Sequence, residues 1–196
     1  MKNVKNIKKT RLSKGWATLD KIDYNYKFQN GEWKDVSREC YNRGNGAAIL
    51  LYNPDKGTVI LTKQFRMPIY ENNTEESMSI EACAGAIDDN DTPLETMLRE
   101  TEEEVGYKIN NAKQVITAYT SPGALTEKIY LFVAAYNDRM KANEGGGLET
   151  ENEEIEVLEI PFSVAVEMMN KGEIIDAKTI MLLQYAQINK LLECKN

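Results

Sequence analysis

Gly85-Ala86-Ile87-Asp88-Asp89-Asn90-Asp91-Thr92-Pro93-Leu94-Glu95-Thr96-Met97-Leu98-Arg99-Glu100-Thr101-Glu102-Glu103-Glu104-Val105-Gly106 is the stretch whose reading decides the fold. Thr92-Pro93-Leu94-Glu95 reads as a helix start, with Thr92 as N-cap, Pro93 at the first helical position and Glu95 closing a capping box. Gly106 is a natural stop, because glycine ends a helix without Cβ strain. Between these signals lies a helix of roughly three to four turns. At helical spacing Glu100, Glu103 and Glu104 cluster on one face, while Leu94, Leu98, Thr101 and Val105 form a core-facing stripe opposite. Arg99 stands one turn before Glu103 and one turn after Glu95, within reach of either.

Like charges at this spacing repel, and a bare acidic helix is ordinarily a solvated face. Here the caps, the basic partner and the two glycines give the carboxylates another purpose. The spacing of Gly85, Asp91 and Arg99-Glu100-Thr101-Glu102-Glu103-Glu104-Val105-Gly106 resembles the Nudix box, G-x5-E-x7-R-E-U-x-E-E-x-G-U, with Asp91 where the box has glutamate. That first acidic position usually supports the loop, so the metal face is retained. Carboxylate oxygens are what Mg²⁺ binds, in company with substrate phosphates.

The chain of 196 residues is long enough for one sizeable domain with a small appendage. Its 42% hydrophobic and 28% charged content is that of a soluble globular protein. A formal net charge of −7 argues against nucleic acid as a partner. An acidic enzyme acting on an anionic substrate needs cations at its site, which again points to metal and a few placed Arg or Lys. Cys40, Cys83 and Cys194 make an odd number without paired spacing and read as reduced thiols, with Cys83 in the core. No apolar run is long enough to span a membrane, and the basic N-terminus lacks a signal peptide's apolar stretch, so a cytoplasmic location is expected. Histidine is absent, which excludes Ser-His and Cys-His nucleophiles and leaves a carboxylate as the expected general base.

Residues 16–28 alternate apolar Ile22, Tyr24, Tyr26 and Phe28 with polar neighbours, the mark of a half-buried strand. Asn30-Gly31 signals a hairpin, and a second strand is expected from Trp33 to Tyr41. Residues 1–42 therefore form a small antiparallel β unit, too small to stand alone, and 43–196 the main domain. Within the latter, Ala47–Tyr52, Thr58–Phe65, 79–84, 113–119, 127–136 and Ile155–Ile160 read as strands, and Phe162–Asn170 and Lys178–Leu192 as amphipathic helices. Asn143–Asn152, with Gly145-Gly146-Gly147 and several acids, reads as a mobile loop. This pattern predicts an α/β (α+β) class. The resemblance to Nudix hydrolases implies their α/β/α sandwich with a mixed sheet.

Further segments narrow the resemblance. Ser121-Pro122-Gly123 past the box is similar to the ADP-ribose pyrophosphatase group. Tyr41–Gly46, Gln64-Phe65-Arg66, Ala142-Asn143 with the three glycines, and Asp176-Ala177-Lys178-Thr179 resemble the GDP-mannose pyrophosphatases. The resemblance implies Mg²⁺-dependent hydrolysis, with Mn²⁺ as the alternative ion, of a nucleotide sugar to a nucleoside monophosphate and a sugar 1-phosphate. It also implies a homodimer with exchanged N-terminal strands. Carried over by position, the metal ligands are the Ala84 carbonyl, Glu100, Glu104 and Glu153, with Glu103 a further ligand or support; Arg99, by its spacing, holds a glutamate in position. Anchoring on Ile155-Glu156-Val157 favours Glu153 as the carboxylate that deprotonates or orients water, although Glu151 and Glu154 also fit. Substrate contacts fall at Ala84, Gly85, Ala86, Glu104, Asn152 and Glu153. Trp16 is assigned to base stacking, Arg38 and Glu39 to the base, Arg66 and Lys178 to phosphate or sugar, and Glu127 to a sugar hydroxyl or the water. Read blandly, Trp16 is a buried aromatic and the charged residues are surface ion pairs. ADP-ribose or another ADP-sugar is the alternative substrate. A non-catalytic nucleotide sensor and a purely structural dimer are the readings from other classes.

Overall fold

Two short connections, residues 15–17 and 28–32, fold the N-terminal segment into a three-stranded sheet. The computed structural model describes residues 3–72, 77–88, 90–148, 150 and 153–192. The strands are β1 (Val4–Lys14), β2 (Thr18–Lys27) and β3 (Trp33–Asn42), antiparallel in the order β1-β2-β3. Strands β2 and β3 form where the sequence places them, but the expected half-buried alternation does not appear: Ile22 and Tyr24 are half-buried, as are their polar neighbours Asp23 and Asn25, while Tyr26 and Phe28 are exposed. Strand β1 carries no apolar alternation and was not expected; it exists because its backbone pairs along β2, from Val4 opposite Tyr26 to Lys14 opposite Thr18. Asp20 of β2 is buried and takes the Lys9 ammonium at 2.8 Å and the Arg11 guanidinium, which fastens β1 down. Met1–Asn45 together with Ala118–Lys128 form one compact unit; Gly46–Thr117 with Ile129–Asn196 form the other.

The second unit is built on a seven-stranded mixed sheet. Its strands are β4 (Gly46–Asn53), β5 (Thr58–Phe65), β6 (Met78–Glu81), β7 (Cys83–Ala86), β8 (Lys113–Tyr119), β9 (Lys128–Ala135) and β10 (Glu156–Pro161). The order is β10-β5-β4-β9-β8, with β6 on β5 and β7 on β4. Strand β4 is central, parallel to β9 and antiparallel to β5 and β7. Its continuous apolar run is buried on both faces, as a strand covered on two sides requires. Ala47, Ile49 and Leu51 join the core beneath helix α2 (Pro93–Val105) with Cys83, Met97, Val105, Tyr107 and Phe132. Ala48 and Leu50 point the other way and are equally buried; α4 (Ala177–Ile188) is the other helix on this strand. The α/β/α expectation holds.

Helix α2 begins and ends as its caps dictate. The Thr92 hydroxyl accepts the Glu95 N–H at 3.2 Å, and the Glu95 carboxylate accepts the Thr92 N–H at 2.8 Å. Gly106 closes the helix at φ 76°. Two elements depart from expectation. A short helix α1 (Met67–Asn72) follows β5, started by Pro68 and by Arg66, whose carbonyl accepts from Ile69 and Tyr70. Helix α4 starts at its N-cap Asp176 and stops at Ile188, short of the expected Leu192.

The glycine segment is not the free loop its composition suggested. Ala142 and Asn143 donate to the Gly106 carbonyl, Gly146 to that of Glu104 at 2.9 Å and Gly147 to that of Glu103 at 3.2 Å. The Asn143 side-chain amide adds a bond to the Glu102 carbonyl at 3.2 Å. A helix leaves its last carbonyls unpaired, and this segment satisfies them. Positive φ at Gly145, Gly146 and Gly147 makes that path possible.

Candidate active site

The acidic face of α2 meets strand β7. The Ala84 N–H donates to Glu104 Oε2 at 3.1 Å, which ties the strand to the helix. At the next residue the approach is so close that a Cβ on Gly85 would overlap the Glu100 carboxylate. Glycine here leaves room for the Glu100 carboxylate, which any other residue would displace from β7; backbone angle makes no such demand. Glu104 is only 3% exposed, so it lies at the border of face and core rather than on a solvated surface.

Arg99 bridges two neighbours, with Nη2 2.9 Å from Glu100 and Nη1 2.7 Å from Glu103. Of its two expected partners it takes Glu103, because Glu95 is engaged in the capping box. Glu153 arrives from the glycine segment, where its Oε2 accepts the Leu148 N–H at 3.1 Å. A Cβ on Gly147 would sit 2.6 Å from the same oxygen, so this glycine also gives room to a carboxylate.

These carboxylates are electrostatically unsettled. Burial pushes Glu100 up to about 7; Arg99 opposes the rise, and Glu104, Glu103 and Glu153 add to it. Burial likewise pushes Glu104 up to about 7, against the Cys83 thiol and the Ala84 N–H, with Glu153 adding repulsion. Among the described residues no three Asp, Glu or Cys side chains already converge on one point. Arg99 holds Glu100 and Glu103 to itself instead. The donor set nonetheless fits a hard divalent cation: all oxygen, crowded, partly buried and short of positive charge. A cation at this face would offset the burial penalty that chiefly raises both pKa values, and the repulsion that adds to it.

A second charged cluster lies on β5, β6 and α4. Arg66 Nε and Nη2 each sit 2.9 Å from Glu81, a bidentate pair. Lys178 Nζ reaches Glu81 at 2.7 Å and Asp176 at 2.8 Å. Burial alone raises the Glu81 pKa, but the hydrogen bonds from Arg66 and the charges of Lys178 and Arg66 outweigh it and hold the group at about 2. Arg66 and Lys178 are expected as phosphate or sugar contacts, with ion pairing as the bland alternative; the structure pairs both with carboxylates, Glu81 and, for Lys178, Asp176.

The remaining candidates belong to the first unit. Trp16 is 79% exposed, against the bland reading of a buried aromatic, and Arg43 lies 5.8 Å from its ring centroid. Arg38 and Glu39 are exposed on β3, and Arg38 donates to the Ser37 carbonyl at 2.8 Å. Glu127 is buried and holds Arg43 and the Thr120 hydroxyl, each at 2.9 Å. In the second unit Ala86 is exposed and Glu154 is more exposed than Glu153. Asn152 and Glu151 lie outside the described residues.

Comparison with known proteins gives two family matches. Residues 3–41 match the GDP-mannose pyrophosphatase NudK N-terminal domain, and residues 42–183 match the NUDIX domain. Among curated proteins, the GDP-mannose pyrophosphatase of Cronobacter sakazakii is 48% identical over 97% of this chain and 98% of its own length. That of Pectobacterium atrosepticum is 50% identical over 93% of both. The Escherichia coli O157:H7 protein of the same name is 46% identical over 95% of this chain and 96% of its own.

Proposed function

The chain belongs to the NUDIX family and is a pyrophosphohydrolase, and from that premise we propose that it hydrolyses GDP-mannose to GMP and mannose 1-phosphate. The observation that carries this reading is the pair Glu100, half-buried, and Glu104, buried, one turn apart on the box helix beside strand β7 and both pushed up to about 7. The substrate is supported by the N-terminal family match and by the names of relatives that align over nearly their whole length.

The enzyme uses a divalent metal, which we take to be Mg²⁺, with Mn²⁺ the alternative. The Ala84 carbonyl, Glu100, Glu104 and Glu153 would hold it. When bound, such an ion neutralises the pyrophosphate and lowers the pKa of a water. Arg99 keeps Glu100 and Glu103 oriented on the helix face. Glu153 takes the proton of the attacking water through Oε1, since its Oε2 accepts the Leu148 N–H. Arg66 and Lys178 donate to phosphate oxygens through protons not spent on Glu81. Ala84, Gly85, Ala86 and Glu104 are assigned to the pyrophosphate, and Asn152, outside the described residues, is assigned with them by its place in the sequence alone. Trp16, exposed as a stacking aromatic must be, covers the guanine, with Arg38 and Glu39 at its edge. Glu127 binds a sugar hydroxyl. Most of the barrier reduction comes from positioning and electrostatics.

The reading includes a division at residue 42, a homodimer with exchanged N-terminal strands, and a cytoplasmic location. The dimer is supported by Ile7, Leu12, Trp16 and Trp33, large apolar side chains left exposed in a unit too small to stabilise itself. The location is supported by the free thiols of Cys40 and Cys83.

The test is kcat/KM for GDP-mannose, ADP-ribose and ADP-glucose with Mg²⁺, beside an EDTA control. Preference for GDP-mannose, abolished by EDTA, is expected. Preference for ADP-ribose would keep the chemistry and overturn the base assignments. No metal-dependent release of monophosphate from any of them would leave a nucleotide sensor as the better account.

A further inference from the structure

Glu81 gathers two cations that reach it from separate elements. Arg66, just past β5, grips it with Nε and Nη2, and Lys178 comes from the first turn of α4. Because the bonds of 2.9 Å from Arg66 Nη2 and 2.7 Å from Lys178 Nζ both end on Oε2, the two nitrogens lie within about 5.6 Å of each other. Two cations that close repel, and long side chains in water would separate. The shared carboxylate is what keeps them together. Asp176 holds Lys178 from another direction, through Oδ1, while its Oδ2 caps α4 by accepting from Thr179.

The carboxylate is placed at a cost. Glu81 is 4% exposed, and its face of the β5–β6 ladder is polar throughout, with Thr62, Gln64 and Ser79 also buried. Ser79 Oγ has no hydrogen-bond partner among the described residues. A buried charged network is weak evidence for stability, since apolar residues often serve a core better. Its retention calls for a use in geometry.

We propose that Glu81 is a positioning residue of the hydrolase: it fixes the Arg66 guanidinium and the Lys178 ammonium as a preformed pair aimed at adjacent anionic oxygens of the substrate, without touching the substrate itself. This rests on the pyrophosphohydrolase reading given above. The remaining N–H donors of the two side chains are thereby presented at fixed spacing, and the entropy of ordering them is met in folding rather than in binding.

The role makes a prediction opposite in sign to simple Coulomb attraction. Removing the charge of Glu81 leaves the cluster more positive, and attraction alone would tighten binding of an anionic substrate. Positioning requires binding to weaken. In the full-length protein with Mg²⁺ and GDP-mannose, E81Q is expected to raise KM about tenfold or more, with a smaller fall in kcat. In the R66A/K178A background the same substitution is expected to add nothing, because the groups it positions are gone. A purely structural role would lower activity equally in both backgrounds, and would overturn the proposal, as would an unchanged or lower KM in E81Q. Should E81Q be unfolded at the assay temperature, E81D serves: it keeps the charge but shortens the reach, so KM must still rise, and a wild-type KM overturns the proposal. Absence of turnover in the wild type would sink the hydrolase reading and this proposal with it. Wild-type turnover with an unaffected E81Q would sink the proposal alone.

Discussion

Glu104 Oε2 lies 3.1 Å from the backbone nitrogen of Ala84, so the side chain assigned to metal also joins helix α2 to strand β7. A glutamine at 104 can keep this bond through its carbonyl oxygen while losing the charge. The E104Q protein is therefore expected to fold, with a melting temperature in EDTA equal to or above that of the wild type, because a crowded buried charge has gone. Its kcat on GDP-mannose should fall about 10³-fold or more, on the scale of losing an essential electrostatic group. Turnover at the wild-type rate would refute the metal-face assignment.

Metal should stabilise the wild type and leave E104Q nearly unmoved. Glu100 and Glu104 repel one another and Glu153, and a bound cation relieves that strain. At a free metal concentration a hundred times Kd, the gain for a single site is about 2.7 kcal/mol. Differential scanning calorimetry of both proteins, with EDTA and then with Mg²⁺, reads the effect. Equal shifts in the two would show that stabilisation arises at another place.

The Glu81 cluster sets an acid limit. Its pKa is about 2 in the folded protein, below the ordinary carboxylate value of 4.5. A depressed carboxylate contributes stability that is fully present above the unfolded pKa and is lost as pH falls through the folded one. The contribution should therefore shrink between pH 4.5 and about 2. Its size is at most about 3 kcal/mol, less screening at the partly exposed Arg66. Urea unfolding of wild type and E81Q at pH 7 and pH 3 checks this: the gap between them should narrow at the lower pH.

The two glycines Gly146 and Gly147 separate strain from crowding. Both have positive φ, 110° and 81°, so alanine at either strains the backbone by about 1–2 kcal/mol. Only at Gly147 does the new Cβ meet Glu153, at 2.6 Å from Oε2; at Gly146 the nearest atom is the Ile155 carbonyl at 3.8 Å. G147A should lose about tenfold more kcat than G146A at comparable loss of stability. Equal kcat in the two variants would argue against Glu153 as the loop carboxylate.

Local rules were enough wherever one residue type dictates one conformation. Thr92, Pro93, Glu95 and Gly106 delimit α2 in the sequence and in the structure alike. The run Ala47–Tyr52 is legible as a buried strand, and the structure covers it on both faces. Strand β1 was not legible, because nothing in Val4–Lys14 marks it as a strand until β2 is present to pair with it. The order Asn143–Gly147 takes on was hidden for a similar reason: glycines signal freedom in a sequence, whereas here they satisfy the carbonyls of a helix distant in the chain. In the site, the acidic face was legible from spacing alone. The pairing of Arg66 and Lys178 on Glu81 was not, since it depends on the register of β5 with β6 and on where α4 begins.

Strand β4, early in the chain, has its parallel neighbour in β9, with Ala48 opposite Leu131. Synthesis therefore delivers helix α2 before the sheet beneath it can be completed, and Glu153 later still. A growing chain holds its crowded carboxylates on an unfinished support for much of its time on the ribosome. The strand pairing that closes the sheet and the segment that carries Glu153 are thus both made after the box helix they must meet.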